Sequence, residues 1–123
     1  MKLSVIIPCY NEESTLKTIL DKVISESSIE KEIIVIDDFS NDNSRKILEN
    51  YDKKDKIKVI FNPNNRGKGY SIRQGLKLAT GDIILIQDAD LEYDPSDYSK
   101  LIEPIKSGYA DVVYGSRFVG SEE

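Results

Sequence analysis

Short continuous runs of branched apolar residues alternate with helix-period stripes from one end of this chain to the other, and that alternation limits its architecture more than anything else. The runs are Leu3–Ile7, Ile33–Ile36, Ile57–Phe61, Ile83–Ile86 and Ala110–Tyr114, mostly Val and Ile. Runs of this kind suit strands buried on both faces of a parallel sheet. Between them, Leu16, Ile19, Leu20, Val23 and Ile24 fall on one helical face, as do Ile72, Leu76 and Ala79, and then Tyr98, Leu101, Ile102 and Ile105. The stretch from Asp42 to about Asn50 is a weaker helical candidate, with Ser40 or Asn41 as its cap. Pro95 stands where a first turn would begin, and Gly81 and Gly108 follow two of the stripes as stops. Strands alternating with helices of this length predict βαβ units with right-handed crossovers. The expected fold is α/β, a Rossmann-like, open and mainly parallel sheet flanked by helices.

Size and charge narrow the function. With 123 residues the chain suffices for one domain with a real core. Lys and Arg number 17 against 22 Asp and Glu, a net charge of −5, which argues against nonspecific binding to nucleic acid. No apolar run approaches the roughly 20 residues that span a bilayer, and the N-terminus reads as a strand rather than a signal peptide. A lone cysteine, Cys9, rules out an intrachain disulfide, fits a reducing compartment, and is most simply a small buried hydrophobe. There is no histidine. A His base or His-ligated zinc is therefore excluded, and a metal site must be made of oxygen ligands, which favours Mg²⁺ or Mn²⁺.

In open α/β sheets ligands bind beyond the carboxyl ends of the strands, where strand order switches. Polar and acidic residues gather at those places here: Tyr10, Asn11 and Glu12, then Asp37 and Asp38, then Asn65 to Gly69, then Asp88, Asp90 and Glu92, and last Arg117. An Asp-x-Asp pair arises by chance about once in so Asp-rich a chain. Its position is what counts. It ends the buried run Ile83–Gln87, where carboxylates need a neutralising partner, and with Glu92 it can converge on a hard cation that bridges two phosphates. An acidic turn capping the next helix is the plainer alternative. Asp37 and Asp38 read equally as turn residues bonding nearby amides or as acceptors for a ribose or base. Gly67-Lys68-Gly69 resembles a phosphate-cradling loop but lacks the Walker spacing, so a tight turn with a solvated lysine explains it as well. Arg117 could fork onto a diphosphate or be an ordinary surface arginine. Tyr10 could stack on a base or pack in the core.

Taken together, Ser4-Val5-Ile6-Ile7-Pro8-Cys9-Tyr10-Asn11-Glu12, Glu32 through Ser40, Asn65-Arg66-Gly67-Lys68-Gly69, Gly81-Asp82, Asp88-Ala89-Asp90-Leu91-Glu92 and Val113 through Phe118 resemble the family 2 inverting glycosyltransferases with the A-type fold. The ordered set covers essentially the whole chain and is most similar to the polyprenyl- and dolichyl-phosphate sugar synthases. The resemblance implies that Pro8, Tyr10, Glu12, Ile36 and Asp38 hold base and ribose. It implies further that Asp88, Ala89 and Asp90 lie along the sugar diphosphate, that Asp90 and Glu92, with Asp88, ligate Mg²⁺ or Mn²⁺, and that Arg117 contacts phosphate. Two departures stand out. Glu92-Tyr93-Asp94-Pro95 replaces the Gln-His-Pro of dolichyl-type members, and Phe39 stands where the family often has Gly.

The implied activity is inverting transfer of a sugar from a nucleotide diphosphate donor to a polyprenyl phosphate; a saccharide acceptor and a noncatalytic nucleotide-sugar-binding fragment are the alternatives. Residues 1–123 are expected to be the nucleotide-sugar-binding domain, ending before an acceptor-binding half. The expected place of the full-length enzyme is the cytoplasmic face of a membrane.

Overall fold

The computed structural model describes residues 2–54, 56–89, 95 and 98, and the backbone of 112–115. The elements, in order, are β1 (Lys2–Cys9), α1 (Leu16–Ser25), β2 (Glu30–Asp37), α2 (Ser44–Tyr51), β3 (Ile57–Phe61), α3 (Lys68–Leu78), β4 (Ile83–Gln87) and β5 (Val112–Gly115). The strands form one sheet in the order β3-β2-β1-β4-β5, and every adjacent pair is parallel. The expected α/β class and its strands are therefore present.

Side chains alternate across the sheet, as the two-residue period of a strand requires. Leu3, Val5, Ile7, Ile33, Val35, Ile83 and Leu85 face Leu16, Ile19, Leu20 and Val23 of α1 and Leu48 of α2. Ile6, Ile34, Ile36 and Ile86 face the opposite way, against Ile72 of α3 and Ala79 beyond it. Both faces are covered, which explains why the strands are apolar runs rather than alternating ones. The chain adds β2 and β3 on one side of β1 and then returns to add β4 on the other. Right-handed crossovers then place α3 on the face opposite α1 and α2. Strand order switches between β1 and β4, and the crevice expected of such sheets opens there.

Three local expectations change. The α3 stripe differs: Leu76 is 43% exposed, while Ser71 and Gly75 are the buried residues of that helix. Small residues let α3 lie close on Ile6 and Ile36, and hydropathy does not reveal them. Gly81 is not the helix stop. α3 ends at Ala79 in extended conformation, and Gly81 sits where a Cβ would come within 2.6 Å of Ser4 Oγ. Neither Ser40 nor Asn41 caps α2. Asn43 holds that position without a side-chain cap, and the N–H of Ser44 donates to Asp42 Oδ1 at 2.8 Å. Pro95 and Tyr98 are buried, whereas Leu101, Ile102, Ile105 and Gly108 lie outside the described residues. Among those described, no helix is long and apolar enough to cross a membrane.

Toward the amino ends of the strands, away from the crevice, Glu32 is 6% exposed and serves as a hub. It accepts from Ser4 Oγ at 2.6 Å and from the N–H and hydroxyl of Thr80 at 2.6 and 3.1 Å, with Lys2 Nζ at 3.8 Å. Burial works to raise its pKa, but these donors outweigh it and hold the carboxyl below the usual range. This network ties β1, β2 and the α3–β4 turn together.

Candidate functional site

The rim is built outward from two paired strand ends. Pro8 lies beside Ile36 and Cys9 beside Asp37 in the β1–β2 register. The pairing continues one residue further, because the N–H of Asp38 donates to the carbonyl of Cys9 at 2.8 Å. Both chains then turn sharply through left-handed residues, Asn11 (φ 52°) and Phe39 (φ 64°). Only the second is unusual, since Asn tolerates this region and a bulky side chain does not.

The two turns are fastened to one another. The N–H of Asn11 donates to Ser40 Oγ at 2.9 Å, and the N–H of Asn41 donates back to Asn11 Oδ1 at 2.9 Å. The N–H of Glu12 donates to Ser44 Oγ, that of Glu13 to Asp42 Oδ2, and that of Asn43 to Glu13 Oε1, at 3.0, 3.2 and 2.9 Å. This lacing supplies partners for backbone groups that a loop would otherwise leave to water. It leaves two aromatic rings outside: Tyr10 is 48% and Phe39 is 46% exposed. Tyr10 is therefore no core residue.

The acidic pair divides its work. Asp37 is fully buried and accepts from the N–H and hydroxyl of Ser40 at 3.0 and 2.6 Å, a turn-forming role. Asp38 reaches across to the β3–α3 loop. Its Oδ1 accepts from Asn62 Nδ2 at 2.9 Å and from the N–H of Arg66 at 2.7 Å, and its Oδ2 accepts from the N–H of Gly67 at 2.8 Å. Gly67, at φ 96°, is the residue that lets the loop turn its amides onto this carboxylate. Burial works to raise the pKa of Asp38, and the donors from Arg66, Asn62 and Gly67 hold it below the usual carboxylate range. A carboxylate has about four acceptor positions. With these bonds made, room for about one more donor remains, on Oδ2.

The cradle reading of Gly67-Lys68-Gly69 is corrected in part. The amides of Arg66 and Gly67 are taken by Asp38 and are closed to a phosphate. Of the loop's two cations, Arg66 turns aside, with Nε donating to Asn64 Oδ1 at 2.6 Å and its guanidinium 5.1 Å from the Tyr70 ring centre. Lys68, more than half exposed, reaches Asp88 Oδ1 at 2.7 Å.

Asp88 leaves β4 directly after Gln87, which is fully buried and accepts from the hydroxyl of Tyr98 at 2.9 Å. Ala89 is buried, and its carbonyl accepts from Thr15 Oγ1 at 2.6 Å. Thr15 in turn begins α1, its N–H donating to the carbonyl of Glu12 at 3.1 Å. The end of β4 is thereby joined to the loop after β1, across the crevice at the strand switch.

The structure thus brings Pro8, Tyr10, Glu12, Asp38, Asp88 and Ala89 to one rim. Ile36 has its side chain fully buried in the core beneath α3, so the side chain is not available to a ligand. Asp90, Glu92 and Arg117 lie outside the described residues. Among the described residues no group of three or more potential ligands could hold a metal. Asp88 alone of the expected set is described, a part-buried carboxylate paired with the ammonium of Lys68. Cys9 is buried, and burial first, then the charge of Asp37, pushes its thiol up to about 12, so it is no nucleophile. Sequence alone set Ser40, Asn62 and Lys68 after strands without their bonding partners, and did not single out Ser44 or Thr15. Their only signal was a concentration of Asn, Ser and Asp at neighbouring strand ends.

Known proteins place this rim in context. The chain is 38% identical over 120 residues to the dolichol-phosphate mannosyltransferase of Pyrococcus furiosus, covering 97% of this chain and 34% of that enzyme. Of solved structures, S. aureus TarS in complex with UDP-GlcNAc matches with a TM-score of 0.71 and 32% identity, over 84% of this chain and 31% of that one. The mannosyltransferase PcManGT of Pyrobaculum calidifontis, in complex with GDP-Man and Mn²⁺, matches with a TM-score of 0.68 and 29% identity, over 77% and 29%. The chain spans between 34% and 50% of the length of the first curated relatives. The family model for glycosyl transferase family 2 matches residues 4–123, and the chain belongs to that family.

Proposed function

We propose that this rim binds the nucleotide diphosphate end of a sugar donor, and that the protein transfers the sugar with inversion to a polyprenyl phosphate. The observation that carries the reading is that Tyr10, Asp38 and Asp88 follow the carboxyl ends of β1, β2 and β4, neighbouring strands on either side of the strand switch, in a member of a family whose solved relatives hold UDP-GlcNAc or GDP-Man. The polyprenyl phosphate acceptor rests on the dolichol- and undecaprenyl-phosphate transferases among the relatives.

In this reading Tyr10 offers a flat face to the base, and the free acceptor position of Asp38 takes a hydroxyl or ring N–H of the nucleoside. Pro8, Glu12 and the main chain of Ile36 frame that end, while Ala89 supports the run of the diphosphate. Asp88, Asp90 and Glu92 would hold Mg²⁺ or Mn²⁺. Held by those carboxylates, a divalent ion would supply positive charge against the negative charge of the departing nucleoside diphosphate. Arg117 adds a fork of donors to the same oxygens. An oxygen of the acceptor phosphate attacks the anomeric carbon from the opposite face as the bond to the diphosphate breaks, which inverts that centre. A phosphate acceptor is already an anion near neutral pH and needs no strong base, in keeping with a chain that has no histidine.

Calorimetric titration with UDP and with GDP tests the reading. At least one should bind more tightly in Mn²⁺ or Mg²⁺ than in EDTA, and Asp90→Asn should remove most of that difference while the fold stays intact. Equal affinity with and without metal would defeat the metal assignment.

A further inference from the structure

We propose that the outer edge of β3 is a pairing surface for a second copy of this chain, and that the turn between α2 and β3 holds it shut, with Asp52 as the latch.

β3 ends the described sheet on one side, so one row of its backbone groups has no neighbouring strand. The register says which row. Ile57, Val59 and Phe61 stand beside Ile33, Val35 and Asp37 of β2. In a parallel ladder the residues on either side of such a partner make the bonds. The C=O of Lys56 accepts from the N–H of Ile33 at 3.1 Å, and the N–H of Asn62 donates to the C=O of Asp37 at 2.9 Å. The backbone groups of Ile57, Val59 and Phe61 therefore point outward, and such a row is a template for another strand.

The turn after α2 covers half of that row. The N–H of Ile57 donates to the C=O of Lys54 at 2.7 Å, and its C=O accepts from the N–H of Lys53 at 2.9 Å. The N–H of Val59 donates to Asp52 Oδ1 at 3.0 Å. Asp52 is set in place as the C-cap of α2, its own N–H donating to the C=O of Leu48 at 3.0 Å. Lys53 and Lys56 of the same turn hold left-handed backbone, at φ 67° and 62°. That conformation is costly for a residue with a Cβ and persists where surrounding bonds enforce it. Here the enforcing bonds include those that close the edge.

The strand itself says what an open edge would take. Ile57-Lys58-Val59-Ile60-Phe61-Asn62 has high β-propensity, one charge and neither Pro nor Gly, the composition of segments that pair with copies of themselves. Two copies related by a two-fold axis would pair their β3 edges antiparallel. Centred on Val59, that register lets the N–H and C=O of Val59 in one copy bond those of Val59 in the other. It sets Lys58 opposite Ile60 rather than opposite a second Lys58, so charge repulsion does not forbid it. What stands in the way is Asp52, which holds the N–H that this register needs.

Amide exchange and sedimentation velocity test the latch together. In the unaltered chain the Val59 N–H should be at least about tenfold more protected than that of Phe61, which has no partner among the described residues. In dilute Asp52→Ala that difference should vanish. As concentration rises, the variant should pass from monomer to dimer and the Val59 N–H should regain protection, while the unaltered chain stays monomeric. Asp52→Asn keeps an oxygen acceptor and should stay monomeric too. Adding Val59→Pro to Asp52→Ala removes the outward N–H without touching a bond to β2, and should return the chain to monomer. Association of Asp52→Ala no stronger than that of the unaltered chain, or association that survives Val59→Pro, overturns the proposal. If circular dichroism shows that Asp52→Ala does not fold, the unaltered chain still decides, because equal protection of the Val59 and Phe61 amides overturns the latch.

Discussion

At the ends of β1 and β2 each turn is held several times over, whereas at the end of β4 the carboxylate of Asp88 is held by one exposed ammonium. Asp38 takes three donors from two different stretches of the β3–α3 loop, and the turns around Asn11 and Phe39 exchange five further bonds. Asp88 meets Lys68, whose side chain is more than half exposed. Under the proposed function the difference corresponds to two jobs. A surface that recognises a nucleoside gains from being set in advance, and a carboxylate offered to a cation gains from an exposed partner.

The sharpest way to break this comparison is to remove the centre of the rigid half. Asp38→Ala leaves Asn62 Nδ2 and the N–H groups of Arg66 and Gly67 without their acceptor, and should lower unfolding free energy by about 3 kcal/mol in a urea titration. A loss below about 1 kcal/mol would mean the loop is not pinned as described. Acid should expose part of the same dependence. Because the folded pKa of Asp38 is depressed, its contribution is fully present above the unfolded value, about 4, and is lost as pH falls through the folded one. Thermal melts from pH 6 downward should show the loss, and Asp38→Asn should flatten that part of the profile. An unaltered acid slope in Asp38→Asn would assign the sensitivity to other carboxylates, such as Glu32 or Asp42, whose pKa values are also lowered.

Phe39 offers a gain instead of a loss. It is a bulky residue at positive φ with 46% exposure, so Phe39→Gly relieves backbone strain while removing little packing. The expected result is about 1 kcal/mol of added stability by denaturant titration, and destabilisation would show that the ring packs in a way its exposure conceals. On the loose side, Lys68→Met should change stability by no more than about 0.5 kcal/mol. A loss as large as that of Asp38→Ala would erase the distinction between the two halves.

How much of this was legible in the sequence follows from the physics of each signal. Strands β1 to β4 were readable because burial on both faces leaves unbroken Val and Ile runs. The buried face of α1 was readable because its residues are large and apolar. The buried face of α3 was not, because Ser71 and Gly75 carry no hydropathic weight while the exposed Leu76 does. At the rim, the clustering of Asp38, Asp88 and Tyr10 was legible from their places after strands. The lacing of Asn11 to Ser40, of Glu12 to Ser44 and of Thr15 to Ala89 was not. Those bonds join residues 29, 32 and 74 apart and leave no periodic mark. The Lys68–Asp88 contact was hidden for the same reason.

The strand-switch rim is the proposed place where a nucleoside diphosphate binds. Mapping amide chemical shifts of the ¹⁵N-labelled chain during titration with UDP and then GDP, each with Mg²⁺, tests it most directly. Binding at this rim gives saturable shifts gathered at residues 10–12, 38–40, 67–69 and 88–89. Saturable shifts gathered instead at the surface groove between α1 and α2, lined by Lys17, Ile47, Asn50, Tyr51 and Lys54, would contradict it, as would no shifts with either nucleotide.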